Sequence, residues 1–518
     1  AGSSSAVAGG LVGTNNGGLA NSFSDSAVTV ATGVTLDKDT TALGGVVGIN
    51  NGNVQYVDSL GVTNGGATGS SNIGGIIGIN NGNMYSGYNE SIVSGKDKVG
   101  GIIGENSTGG TVTNIVNATS VTGENVSADN VSQYVGGLVG SNSGSVTNGR
   151  NNGTITGTNY VGGMVGSNAQ GATLTNLVND SSAAIEGENY VGGIAGTNAG
   201  TITAQNQSNL INRGSITGQN YVGGVAGENI GTIEYVKNDV NLYVKDDTKT
   251  AQYFGGVAGI NGRVDDETTT DVNEAVTGTI TSATNEGDVV AENAQYVGGI
   301  VGWNTSQGKL VGMGNSNEGT VIGGSYVGGV IGKNDAAIGS KGSAQVGITN
   351  EGTVIATKGG AGGLIGENNA AITNTVMINR GEVHGNNTND GSGTGGLIGT
   401  NNENGDITYS SLINEATGTV TGTNNVGGLI GVNKADITGG RYTVTGEDAG
   451  MYINKIYNNG VINVGTYKDE NGDGKYVFDE QDGNNIGGLI GDNQGSLTAG
   501  YNTGAINAAD SKNVGGIA

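Results

Sequence analysis

Twelve consecutive residues near the C-terminal end carry the chemistry of a cation site. They run Asp469-Glu470-Asn471-Gly472-Asp473-Gly474-Lys475-Tyr476-Val477-Phe478-Asp479-Glu480. The stretch satisfies D-x-[DN]-x-[DN]-G-x5-E at every defined position. Calcium is a hard cation that takes roughly six to eight oxygens. Asp469, Asn471 and Asp473 would give side-chain oxygens, Lys475 its backbone carbonyl and Glu480 a bidentate carboxylate. Gly474 allows the sharp turn, and a water would stand in at Val477, which has no side-chain oxygen. The flanks do not read as paired helices. The expectation is therefore a bare Ca2+ loop, and the alternative is an acidic surface hairpin.

The remaining reactive side chains are sparse. There is no cysteine, so thiol chemistry is excluded, and His384 is the one histidine. His384 occupies a position where other copies of the repeat place Thr, which predicts a surface substitution and not a general base. Acidic residues are scattered, and no recurring pair marks a cleft of the kind that glycoside cleavage needs. An acidic stretch, Arg263-Val264-Asp265-Asp266-Glu267 with Asp271 beyond it, reads as a solvated loop. Tyr134, Tyr160, Tyr190, Tyr221, Tyr253, Tyr296 and Tyr326 recur at one place in successive copies. They read as a structural stack between turns, or as a sugar-binding stripe. Trp303 reads as a lone exposed aromatic. The chain is predicted not to be an enzyme.

These side chains hang on a repeat. Its clearest copy is Tyr190-Val191-Gly192-Gly193-Ile194-Ala195-Gly196-Thr197-Asn198, and Gly-Gly pairs mark 16 copies from Gly9 to Gly515. Copies spaced near thirty residues signal a solenoid. The Asn is present in all 15 complete copies, whereas the residue before it varies from Glu105 to Trp303 to Lys333. That tolerance places the variable residue outside and the Asn inside. A buried amide needs partners, and stacked copies supply them as a ladder.

Short strands joined by Asn-Gly turns complete each copy. Val135–Asn142 reads as one strand, Ser145–Thr147 as a second and Thr154–Thr156 as a third. Turns such as Asn151-Asn152-Gly153 and Asn212-Arg213-Gly214 suggest corners that need left-handed backbone. The fold class that follows is all-β: a single parallel β-helix over residues 1–518, of about 15 rungs. Residues 434–485 read as an insertion carrying the acidic loop. The absence of Pro among 518 residues suits a chain paired along most of its length. The net charge of −25 disfavours nucleic acid and anionic lipid as partners. No apolar run approaches the ~20 residues of a membrane helix. The chain opens beside one copy and closes inside another, and is expected to be a piece of something longer.

Strict alternation through the motif puts Ile194, Gly196 and Asn198 inside and Ala195 outside. The counterparts of Ala195 include Val47, Ile77, Ile103, Val139, Val301, Ile331, Ile365, Ile398 and Ile490, all apolar. An outer apolar row of this length must be covered, by the chain's own loops or by a neighbouring subunit in a filament. Open solenoid ends offer a second route to self-association. Gly396-Leu397-Ile398-Gly399-Thr400-Asn401 and Gly488-Leu489-Ile490-Gly491-Asp492-Asn493 resemble the GLUG repeats of bacterial extracellular proteins. The resemblance covers essentially the whole chain. GLUG repeats occur in surface adhesins similar to filamentous haemagglutinin and beside peptidase domains with H-E-x-x-H, a motif that one histidine cannot supply. The resemblance implies a secreted or cell-surface protein, the shaft of an adhesin or filament, with a host glycan or protein receptor among its possible partners. A carbohydrate-binding or carbohydrate-cleaving β-helix is the alternative.

Overall fold

A computed structural model describes residues 4–518 apart from 32–33, 35, 67–69, 126–130, 205–210, 247–248, 265–274, 388–390, 445–449, 470–475 and 510. The described residues contain strands and no helix. The chain divides into two compact units, Ala1–Asp246 and Asp247–Ala518. Each is a parallel β-helix.

One turn of the first unit shows the construction. Val165–Asn168 forms the first face, and Thr173–Thr175 with Val178–Asn179 forms the second. Ala184–Glu186 with Asn189–Gly192 forms the third. Each strand pairs in parallel with its counterpart one turn away, as Val165↔Ala195 and Asn168↔Asn198. In the first unit the motif face stacks eight such strands, Val12–Asn15 to Ala226–Asn229. In the second unit it stacks seven, Ala258–Asn261 to Ile490–Asn493.

The expected single strand Val135–Asn142 is broken. It consists of Gln133–Gly136 and Val139–Asn142, on different faces, joined by a bend at the Gly-Gly pair. Steric crowding explains the glycines. A Cβ on Gly192 would stand 2.0 Å from the Ala195 carbonyl oxygen, and one on Gly193 would stand 2.4 Å from the Asn212 amide.

The bend also overturns the outer apolar row. The Ile194 and Ala195 amides both donate to the Val225 carbonyl at 2.9 Å, and Ile300 and Val301 share the Val330 carbonyl in the same way. Two residues facing one carbonyl interrupt alternation as a bulge does. Ile194 and Ala195 are therefore both buried, at 0% exposure, as are Val301, Ile331, Ile365 and Ile398. The row lies inside the chain's own fold and offers no filament contact.

Two amide ladders run through the interior. Asn142 Nδ2 donates to Asn168 Oδ1 at 2.9 Å, Asn168 to Asn198 at 2.8 Å and Asn198 to Asn229 at 2.9 Å. A second ladder joins Asn117, Asn151, Asn179 and Asn212 with bonds of 2.9–3.0 Å. Asn151 and Asn212 are the residues read from sequence as corners needing left-handed backbone. Their backbone is not left-handed; both enter the buried ladder, and Asn151 also bonds across its own corner to Gly153. The left-handed non-glycine residues are chiefly tyrosines and other asparagines, such as Tyr160 at φ 53, Tyr190 at φ 55 and Asn148 at φ 54. A non-glycine residue there costs roughly 1 kcal/mol.

The stretch 434–485 is one solenoid turn with hairpins grafted on. Its body stays in register, with Asn458 paired to Asn414 and Ile462 to Val420. The grafts are Gly440–Val444 with Gly450–Asn454, and the pair Gly465–Asp469 and Tyr476–Glu480.

Candidate functional site

The second hairpin carries the acidic loop. Glu470, Asn471, Gly472, Asp473, Gly474 and Lys475 lie outside the described residues. For the rest, antiparallel register sets Asp469 opposite Tyr476 and Glu480 opposite Gly465. Four residue pairs separate the two carboxylates, about 14 Å along the strand. Val477 and Glu480 are exposed. In this register Asp469 and Glu480 are not brought together. Among the described residues, no three Asp, Glu, His or Cys side chains gather as metal ligands.

The hairpin packs back on its own unit. The Tyr467 ring lies on the His384 ring with centroids 3.7 Å apart. The Tyr476 hydroxyl donates to Glu292 Oε1 at 3.0 Å. Between these contacts runs a register row on the third face, Ile322↔Ile355↔His384↔Thr421. All four are buried, His384 at 2% exposure and Ile355 at 5%. In the first unit the same row reads Ser94, Thr122, Thr156, Glu186 and Thr217, none of them buried. The row turns apolar in the second unit, where the hairpin's Tyr467 lies on its His384.

His384 is therefore no surface substitution. Its Nε2 lies 3.2 Å from Glu382 Oε2, while Nδ1 has no hydrogen-bond partner. The hydrogen bond from His384 holds the Glu382 carboxyl below its ordinary range. Burial pushes the Tyr467 phenol up, and Glu382 adds to the effect. Burial and the Glu292 carboxylate raise Tyr476 further. A general base must reach a substrate proton, and the His384 ring is closed under Tyr467.

The tyrosine row stacks on itself. Tyr134–Tyr160, Tyr160–Tyr190 and Tyr190–Tyr221 centroids lie 5.0, 4.8 and 4.7 Å apart with rings within 18° of parallel. Such stacking turns ring faces toward one another and offsets the left-handed backbone cost. In the second unit Tyr253, Tyr296 and Tyr326 continue the pattern at 5.5 and 5.3 Å. Burial, with Glu367 beside it, pushes the Tyr296 phenol up to about 12. Trp303 is neither lone nor exposed. It stacks on Tyr253 at 5.1 Å and donates its indole N–H to Asp335 at 2.7 Å.

A polar hollow of about 280 Å³ lies beyond the end of this row. It is lined by Asn387, Gly391, Ser392, Asn424, Asn425, Asn484 and Asn485. Sequence reasoning missed it, because its amides come from three turns. Compared with known proteins, the chain matches no family model, no curated protein and no solved structure.

Proposed function

We propose that this chain is a non-enzymatic structural shaft of a bacterial surface adhesin or filament, working outside the cell. The observation that carries the reading is the equivalence of the turns. Each repeats the first buried amide ladder and the same Gly-Gly bend, and from Asn89 onward the second ladder as well, so length is added on one plan. Buried polar ladders tie each turn to its neighbours, and a solenoid's stability is a sum of such nearest-neighbour terms. The GLUG-like motifs support an extracellular setting. Antibody labelling of intact cells that make the full-length protein tests the reading. Surface labelling is expected, and a signal confined to permeabilised cells would overturn it.

The second reading, carbohydrate binding, draws on the amide-lined hollow, since uncharged amides suit hydroxyl-rich ligands. A glycan array with the whole chain decides between them. Saturable binding lost in Asn387→Ala and Asn425→Ala would favour the carbohydrate reading.

A further inference from the structure

The Tyr134–Tyr221 row turns its ring faces inward on one another, but three tyrosines earlier in the first unit do not. Tyr56, Tyr85 and Tyr88 project from the outer side of the second face at 52%, 44% and 39% exposure. Their strands, Asn53–Ser59 and Asn83–Asn89, are each paired on both sides. Their exposure is therefore not the effect of an open sheet edge. Tyr56 and Tyr85 meet edge to face, with centroids 5.6 Å apart and planes at 78°. That arrangement leaves ring surface open where a parallel stack closes it.

Carboxylates stand among these rings. Asp58 pairs in register with Tyr88, and both Asp58 and Glu90 are exposed. Burial raises the Tyr88 phenol, and the charge and hydrogen bond of Glu90 and the charge of Asp58 add to it. Between Asp39 and Gly95 the sequence supplies no lysine or arginine.

The second unit shows what such a constellation holds. Lys333 Nζ lies 5.5 Å from the Tyr296 centroid, 5.1 Å from that of Trp303 and 3.1 Å from Asp335 Oδ2. An ammonium is attracted to a ring face and pairs with the carboxylate beside it. The first unit presents the same parts, tyrosine rings and carboxylates, at its surface.

We infer that Tyr56, Tyr85 and Tyr88, with Asp58 and Glu90, form a docking surface for a lysine- or arginine-bearing segment of a partner polypeptide. Charge selects that occupant. An anionic partner is repelled by a chain of net charge −25. A purely apolar partner would desolvate two carboxylates without pairing them. A cationic segment satisfies the rings and the carboxylates together. The inference holds whether or not the chain is a shaft.

The test uses the full chain and a fluorescein-labelled peptide of alternating lysine and glycine, followed by fluorescence anisotropy. The variant Tyr85→Ser/Tyr88→Ser changes exposed side chains and leaves net charge unaltered, and circular dichroism checks its fold. Its affinity is expected to fall about tenfold or more, since two cation–ring contacts are lost. Asp58→Asn/Glu90→Gln should weaken binding similarly, and an acetylated-lysine peptide should not bind. Unchanged affinity in the tyrosine variant would show attraction by diffuse charge alone and overturn the proposal. So would displacement of the peptide by a neutral oligosaccharide whose own binding needs Tyr85 and Tyr88, which would make the surface a glycan site.

Discussion

Removing the Asn198 amide strands two buried neighbours at once. Asn168 loses its acceptor and Asn229 its donor. Each unsatisfied buried group costs about 1–3 kcal/mol, so Asn198→Ala should destabilise the first unit by about 2–4 kcal/mol in urea unfolding. Asn81→Ala is the control. Asn81 donates to Asn51 at 2.8 Å in an equally regular but exposed pair, and its loss should cost under ~0.5 kcal/mol. Equal costs would mean that burial is not what gives the ladder its weight. Glu382 makes a pH prediction. Its folded pKa is depressed by His384, so its contribution is present above the ordinary value of 4.5 and is lost as pH falls through the depressed one. Glu382→Gln should therefore lower stability near neutral pH and lose less on acidification. Thermal melts at a series of pH values check this, and parallel curves would contradict it. The inward Asn was legible in the sequence, because a residue kept beside one that varies freely must face a constant environment. The second amide ladder was misread. Asn-Gly is also the chemistry of a turn, and only stacking shows that the same Asn151 side chain serves the turn and the ladder together.

The hairpin is the element whose role depends on what it covers. Joining Gly465 to Glu480 by an Asn-Gly turn removes Thr466–Asp479 and keeps the root register. It should uncover Ile322 and Ile355, raise binding of an apolar dye, and cost the second unit roughly 2–5 kcal/mol by the burial of the two side chains. No change in dye binding would show that the row is covered by something else. The same hairpin frames the calcium question. With Glu480 four pairs from Asp469, calorimetry should find that Glu480→Gln leaves calcium affinity unaltered. A tenfold loss would mean that the hairpin end opens and the twelve-residue loop closes around the ion. The motif was legible as a list of oxygens, but whether those oxygens converge is set by strand register. A cue to the covered row did exist in the sequence. Thr122, Thr156 and Thr217 give way to Val290, Ile322 and Ile355, but the series emerges only once the strands are aligned.

At the scale of the whole molecule, equivalent turns should be exchangeable. Residues 159–188 make one complete turn of the first unit, since Asn159 is paired with Asn189. Their excision would set Tyr190 over Tyr134 and Asn198 beside Asn142. The shortened chain is expected to keep its circular-dichroism spectrum, and its melting temperature should move by no more than about 5 °C, because each turn interacts mainly with its neighbours. Loss of the cooperative transition would show that the turns are not equivalent.

The sequence by itself determined the parallel β-helix, the length of its turn and the inward Asn. The Gly-Gly bend repeats them: a Cβ on Gly192 or Gly193 would strike backbone or the ladder. Tertiary structure alone decided where the Ala195 row lies. Its burial follows from a carbonyl one turn away that takes two successive amides, and counting residues along one strand cannot register such a bond. Tertiary structure also decided that the tyrosines stack, that His384 lies beneath Tyr467 and that Glu480 stands apart from Asp469. Each of these depends on groups brought together by stacking or by a fold-back, over separations that local periodicity does not span.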